Sequence, residues 1–142
     1  PSVARFVTDV PLRWVDQDAY GHVNHARTVT LLEEARIRLV FDRALTEGID
    51  GFAKGLVVVG LHVDYVRQLA YRTASLCVAL WIEKLRAASF RIRYHVHDGP
   101  DPDSPVAVQA WTDMATFDFQ TQRPRRLTSA ERAFLECWQD AA

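Results

Sequence analysis

The sequence predicts an α+β domain in which one antiparallel sheet curls around a long, largely apolar helix. Several strand-like segments follow one another along the chain, and a single long segment without Gly or Pro precedes most of them. Apolar side chains spread around that long segment instead of forming one stripe. A helix of this kind must be covered on several sides, and a curled sheet would cover it.

The first predicted elements are a strand, a turn and the long helix. Apolar and polar residues alternate over residues 10–16, which predicts a strand ending at Asp16. Aspartates and a glycine then favour a turn. Asn24 is expected to cap a helix over residues 26–45, and the glycines that follow predict a flexible connection.

Four more strands and a short helix complete the predicted order. The strands are expected over residues 56–66, 74–83, 89–97 and 106–119, and the helix over residues 129–138. The alternation is clearest in residues 89–97, where Phe90, Ile92 and Tyr94 should face one side of the sheet. No linker or repeat interrupts the chain, so residues 1–142 are expected to form a single domain.

Composition and charge exclude several classes of function. The chain is 49% hydrophobic and 25% charged with a formal net charge of -1, so no basic face for nucleic acid is expected. No apolar run approaches the ~18 residues of a membrane helix, and no secretory leader is visible. Its two cysteines, Cys77 and Cys137, lack metal spacing, which favours a reduced, cytoplasmic protein.

A short segment concentrates groups suited to acyl transfer. Asp16 and Asp18 lie at the predicted turn, His22 and His25 follow it, and Asn24 begins a helix whose first N–H groups lack intrahelical partners. A carboxylate can attack an acyl carbon or activate water, so Asp18 is the first catalytic candidate. The alternative from the residues alone is that Asp18 only caps the turn.

The same four acidic and imidazole side chains raise the possibility of a metal site. Aspartate and histidine are suitable ligands for several divalent ions. A turn, however, lacks the regular spacing of ligands on one helix face. A metal site is therefore disfavoured, and no cofactor is expected.

The turn and the helix after it resemble a known family signature. Asp-x-Asp-x-x-Gly-His-Val-Asn-x, followed by Glu33-Glu34-Ala35-Arg36, is similar to the motif of hot-dog-fold acyl-CoA thioesterases, specifically the 4-hydroxybenzoyl-CoA thioesterase-like group. The likeness continues through residues 64–67, 89–90 and 123–124. It implies a hot-dog fold and metal-free hydrolysis of an acyl-CoA or acyl-carrier thioester.

The resemblance also assigns roles within the motif. It places the catalytic carboxylate at Asp18 and the amide that binds the thioester carbonyl at His25, whose side chain replaces the Asn of many relatives. Asn24 would cap the helix and brace the site. His22 would either orient the loop or contact substrate.

Coenzyme A carries phosphates, which basic side chains bind. The expected substrate-binding residues outside the turn are Arg67, Arg86, Ser89 and Arg91. For each arginine taken by itself, a position on a solvated strand face or tail is the favoured alternative. The chain also departs from its relatives. Ala87 and Ala88 occupy positions that are often basic, Gln68 replaces a frequent Pro, Thr28 a frequent aromatic residue, and Arg72-Thr73 a frequent Gly-Asp.

The resemblance further implies a homodimer or homotetramer with active sites shared between subunits. The apolar stretch over residues 56–61 supports this expectation, because an exposed apolar edge invites pairing. The alternative function is a non-hydrolytic protein that binds acyl thioesters or acts as a scaffold. A serine or cysteine nucleophile is disfavoured, since no Gly-x-Ser-x-Gly elbow occurs and Cys77 lies in an apolar run.

Overall fold

The computed structural model describes residues 5–139, and five antiparallel strands dominate it. They are β1 (Phe6–Val10), β2 (Leu56–Tyr65), β3 (Leu76–Glu83), β4 (Ser89–His97) and β5 (Val106–Asp118), in the spatial order β1-β3-β4-β5-β2. A two-residue strand, β6 (Arg123–Pro124), pairs with the end of β5. The predicted alternation in β4 is confirmed, because Phe90, Ile92, Tyr94 and Val96 are all buried.

The long helix packs on the inner face of this curled sheet. Helix α1 (His25–Ile37) continues through a π-helical segment, Arg38–Arg43, into α2 (Ala44–Thr46). Leu31, Leu32 and Ala35 of α1 are buried and belong to the same apolar core as β3, β4 and β5. The broad apolar surface of this segment is thus covered, and the predicted α+β architecture is confirmed.

The first strand lies earlier than predicted. β1 ends at Val10, and the next residue, Pro11, has no N–H to continue the pairing with β3. Residues Trp14–Asp16 form a 3₁₀ turn, in which the Trp14 side chain is 76% exposed. The prediction of a strand over residues 10–16 was therefore wrong for all but its first residue.

The glycine-containing connection is partly helical rather than a simple flexible link. Helix α3 (Gly51–Lys54) forms there because Phe52 is fully buried against Phe90, with ring centroids 5.9 Å apart. The last helix, α4 (Ser129–Glu136), ends two residues before the predicted boundary. Its capping box uses Thr128 and Glu131, so the cap lies one position before Ser129.

Strand β2 forms one edge of the sheet. It pairs with β5 only, and its other side faces no strand within residues 5–139. Apolar side chains on β2 remain exposed, including Val58 at 47%, Val59 at 64% and Leu61 at 44%. An apolar edge of this length is a surface that proteins usually cover.

No helix among the described residues is both long enough and apolar enough to cross a membrane.

Candidate active site

The turn after β1 is held by Asp16, whose side chain is buried. Its carboxylate accepts hydrogen bonds from the backbone N–H of Arg13 at 2.8 Å and from the Arg13 guanidinium at 3.1 Å. The carbonyl of Asp16 accepts a bond from the N–H of Asn24 at 2.8 Å. Both carboxylate oxygens of Asp16 are thus committed to the structure of the turn.

Asp18 is bonded differently, although it lies only two positions further on. Its Oδ1 accepts bonds from the backbone N–H groups of Tyr20 at 2.8 Å and His22 at 3.2 Å. Its Oδ2 receives no hydrogen bond from the described residues. Gly21 permits this loop because its φ of +79° is unfavourable for other residues. The carboxylate is therefore fixed by one oxygen and free at the other.

A short segment between β2 and β3 is hydrogen-bonded to the turn. We call residues 69–71 the strap. The N–H of Val23 donates to the carbonyl of Leu69 at 2.8 Å, and the N–H of Tyr71 donates to the carbonyl of Gly21 at 3.0 Å. His22 forms an antiparallel bridge with the middle residue of the strap. The loop that carries Asp18 is thereby paired as a small ladder.

The beginning of α1 supplies a free donor beside this loop. Asn24 caps the helix, since its side chain accepts the N–H of Ala26 at 2.9 Å. The N–H of His25 has no acceptor among the described residues, and the helix dipole favours negative charge there. The Tyr65 hydroxyl donates to the His25 carbonyl at 2.9 Å. Burial raises the pKa of Tyr65, so the phenol stays protonated and able to donate.

These groups surround one cavity of about 600 Å³. Its lining is Asp18, Tyr20, His22, Val23, His25, Thr28, Tyr65, Arg67, Gln68, Leu69 and Val108. Four predicted site residues are thus brought together, namely Asp18, His22, His25 and Arg67. Asn24 does not line the cavity but caps the helix next to these residues.

The sequence analysis did not predict Tyr65 or Tyr20 as site residues, although both line the cavity. The available signal was that Tyr20 lies within the turn motif and Tyr65 within residues 64–67, which also resemble the family.

The remaining predicted residues lie elsewhere in the single chain. Arg86, Ser89 and Arg91 line a separate depression of about 200 Å³ that also includes Val59 of β2. Arg91 is already paired with Asp113 at 2.7 Å, and this hydrogen bond raises the pKa of the Arg91 guanidinium. One chain alone does not place these residues around the Asp18 cavity.

The structure also bears on the alternative chemistries. Within residues 5–139, no group of three or more His, Cys, Asp or Glu side chains is arranged to hold a metal ion. Asp16 is turned towards Arg13 instead of towards the cavity. Cys77 is buried in β3, and burial raises the pKa of its thiol, which disfavours the reactive thiolate.

Comparisons with known proteins extend over nearly the whole chain. A model of the thioesterase-like superfamily matches residues 12–136. A thioesterase from Thermus thermophilus, solved with coenzyme A and Zn, is 27% identical, with a TM-score of 0.73 and coverage of 94% of this chain and 93% of that chain. A search of curated proteins finds no match.

Two further solved structures share the fold at lower identity. A protein from Bacillus stearothermophilus described as a predicted thioesterase is 24% identical, covers 96% of this chain and 97% of that chain, and has a TM-score of 0.80. A 1,4-dihydroxy-2-naphthoyl-CoA thioesterase from Synechocystis is 16% identical, with coverage of 92% and 95% and a TM-score of 0.73. These likenesses confirm the predicted hot-dog architecture.

The family match begins just after β1 and extends through the turn, α1 and every later strand to the end of α4. It therefore includes both the cavity and the elements that form it. The resemblance noted in the motif is confirmed by this match over nearly the whole chain. The chain belongs to the thioesterase-like superfamily and is a thioester hydrolase with the hot-dog fold.

Proposed function

We propose that the chain hydrolyses an acyl-CoA thioester and that Asp18 is its catalytic carboxylate. The observation that carries this proposal is the bonding of Asp18 in the cavity. Two backbone N–H groups fix Oδ1, while Oδ2 accepts no hydrogen bond from residues 5–139, in a cavity that His25 at the start of α1 also lines. A carboxylate held in this way loses little freedom when it reacts.

Hydrolysis would begin when the thioester carbonyl oxygen accepts a hydrogen bond from the backbone N–H of His25. Negative charge grows on this oxygen when the carbonyl carbon is attacked, and a preorganised donor at a helix N-terminus stabilises it. Asp18 then acts in one of two ways. It attacks the carbon to give an anhydride that water cleaves, or it takes a proton from a water that attacks. In both routes the carbon–sulfur bond breaks and coenzyme A leaves as the thiol.

Coenzyme A as the carrier is supported by two observations. The Thermus thermophilus thioesterase, which is 27% identical, was solved with coenzyme A bound. In this chain Arg67 lines the cavity, where its guanidinium can pair with a phosphate. His22 lines the cavity at the turn, and Asn24 caps the helix beside it. No metal or cofactor enters the proposed reaction.

We also propose that the single hot-dog domain works as a homodimer or homotetramer with shared active sites. The exposed valines and leucine of β2 lie along an edge without a partner strand among the described residues. The depression that contains Arg86, Ser89 and Arg91 borders the same strand through Val59. Pairing at β2 would bring this depression from one subunit towards the Asp18 cavity of the other. Such a shared site would explain why the depression and the cavity are separate within one chain.

The proposal is tested by measuring thiol release from a panel of acyl-CoAs of graded chain length, including aromatic acyl groups, with and without a chelator. We expect at least one substrate to be hydrolysed at a rate that the chelator does not change. Strict dependence on a divalent ion would favour the aspartate–histidine metal site instead. Tight binding of every acyl-CoA without turnover would favour the non-hydrolytic alternative.

A further inference from the structure

We propose that Arg72 and Asp98 form a latch that positions the catalytic turn through the strap, residues 69–71. Both residues lie outside the cavity lining and touch neither Asp18 nor the free N–H of His25. The inference rests on the proposed function, since it assigns these two residues to the same site. Their role is positioning.

The latch itself is an ion pair with an additional backbone contact. Oδ1 of Asp98 accepts a hydrogen bond from Nη2 of Arg72 and another, at 3.4 Å, from the N–H of Ala70. Nη1 of Arg72 also donates to the carbonyl of Asp98 at 3.3 Å. The Asp98 side chain is 14% exposed and that of Arg72 is 30% exposed. The pair is thus partly shielded from water. Charge-assisted hydrogen bonds are stronger in such shielded positions than at the exposed surface.

An unbroken series of contacts leads from the latch to the catalytic carboxylate. Asp98 holds the N–H of Ala70, the middle residue of the strap. Ala70 bridges His22, and the N–H of His22 donates to Oδ1 of Asp18 at 3.2 Å. A shift of the strap would therefore move one of the two donors that fix Asp18. Errors near 1 Å in such a geometry can lower a rate by about 10²-fold.

The strap belongs to no regular strand, so its position depends on hydrogen bonds to residues outside it. It lies between β2 and β3, and its hydrogen bonds go to the turn and to Asp98 instead of to a long ladder. Short segments of this kind open locally more easily than central strands. The planar guanidinium of Arg72 bonds both the side chain and the carbonyl of one residue, which fixes direction as well as distance.

The test compares Asp98→Asn with a matched control, Glu131→Gln. Glu131 also pairs with an arginine, Arg125 at 2.7 Å, and also accepts a backbone N–H, that of Thr128 at 2.8 Å, but it lies away from the cavity. We expect Asp98→Asn to lower kcat per folded molecule by about 10-fold with little change in KM, because no cavity residue is altered. Glu131→Gln should lower Tm and leave kcat unchanged.

A second measurement separates this inference from the proposed function. Amide hydrogen exchange at Val23 and Tyr71, which bond across the strap, should become faster in Asp98→Asn and stay unchanged in Glu131→Gln. If the wild-type protein hydrolyses no acyl-CoA, the proposed function fails, while the exchange rates still decide the latch. An unchanged kcat in an active enzyme, or unchanged exchange at both amides, would overturn the latch. Arg72→Met gives the same test if Asp98→Asn does not fold.

Discussion

The two aspartates of the motif differ in the hydrogen bonds that their carboxylate oxygens accept. Asp16 is buried, and Arg13 occupies both of its carboxylate oxygens. Asp18 lines the cavity and keeps Oδ2 free of the described residues. Hydrogen bonding to a carboxylate fixes its position, but a carboxylate with no free oxygen cannot reach a substrate. The local bonding pattern therefore supports a structural role for Asp16 and the proposed catalytic role for Asp18, a distinction that the residue type alone does not make.

Replacing Asp18 by Asn should lower activity by roughly 10²–10⁴-fold, the range for a positioned acid–base group. The amide keeps the size of the side chain but can neither attack the acyl carbon nor accept a proton from water. Substrate binding should survive, because the His25 N–H remains. Steady-state kinetics and coenzyme A titration measure both effects.

The companion change Asp16→Asn should lower the free energy of unfolding by about 1–3 kcal/mol, because the N–H and guanidinium of Arg13 lose a charged acceptor. Its rate per folded molecule should stay close to that of the wild type. An Asp18→Asn protein that is destabilised yet fully active would show that Asp18 only caps the turn.

Tyr65→Phe should lower kcat more than it raises KM. The variant removes only the hydroxyl that donates to the His25 carbonyl at 2.9 Å, and so loosens the residue whose N–H is proposed to bind the carbonyl oxygen. A loss of about 10-fold is expected from one misplaced donor. Tyr20→Phe is a matched control, because Tyr20 also lines the cavity while its hydroxyl makes no hydrogen bond to the protein among residues 5–139. Equal kinetic effects of the two variants would contradict the role of Tyr65.

At the scale of elements, sequence patterns predicted the regular strands well and the irregular segments poorly. The bounds of β4 match the predicted ones because Phe90, Ile92, Tyr94 and Val96 on one face enter the apolar core, which produces a clear alternation along the strand. The first strand was misplaced because alternation continued past Pro11, where pairing ends. Helix α3 was not predicted because Gly51 and Gly55, which lie in and just after it, indicate a flexible connection, although Phe52 between them is buried.

The candidate site was predictable only where its residues are close in sequence. The motif placed Asp18, His22 and His25 together, since one turn and one helix start carry all three. The latch was not predictable, because a contact between Arg72 and Asp98 depends on how two loops meet in three dimensions. For the same reason, sequence alone grouped Arg91 with Asp18, whereas a single chain places them in separate depressions.

The β2 edge provides a test of assembly. Val59→Lys introduces a charge on an edge strand where the wild-type side chain is 64% exposed, and such a charge opposes strand pairing. Val7→Lys is the control, because Val7 is 48% exposed on β1 at the opposite edge. Light scattering at micromolar concentration should give at least twice the 16.2 kDa chain mass for the wild type and Val7→Lys, and a smaller species for Val59→Lys. A monomeric wild type would contradict the proposed assembly.

At the scale of the whole molecule, His95 on β4 is expected to make stability depend on pH under acidic conditions. His95 contacts Trp81 edge to face with centroids 4.8 Å apart, and the Arg5 guanidinium lies 3.9 Å from the Trp81 ring centroid. Burial, followed by the charges of Arg5, His97 and Arg93, lowers the pKa of His95 to about 4 from its ordinary 6.5. The folded protein therefore holds this imidazole neutral at a pH where the unfolded chain would protonate it.

Stability should consequently fall as pH drops from 6.5 towards 4, since the unfolded state binds more protons in this range. Well above pH 6.5 the imidazole is neutral in both states and contributes no pH dependence. His95→Gln should flatten the fall in Tm between these two values. Thermal melts of both proteins at intervals across the range measure the difference, and parallel curves would show that His95 is not responsible.

The way the strap holds the catalytic turn has a consequence for the order of folding. Residues 21–23 are fixed by residues 69–71, and the strap is fixed in turn by Asp98, so the site depends on contacts between distant parts of the chain. Such contacts form slowly, because a long loop must close before it gains any bond. A chain emerging from the ribosome is therefore expected to gain the contacts that orient Asp18 only after β4 and the residue that follows it have been synthesised. Hydrolytic ability is thus expected to appear after most of the sheet has formed, which would keep partly folded chains from acting on thioesters.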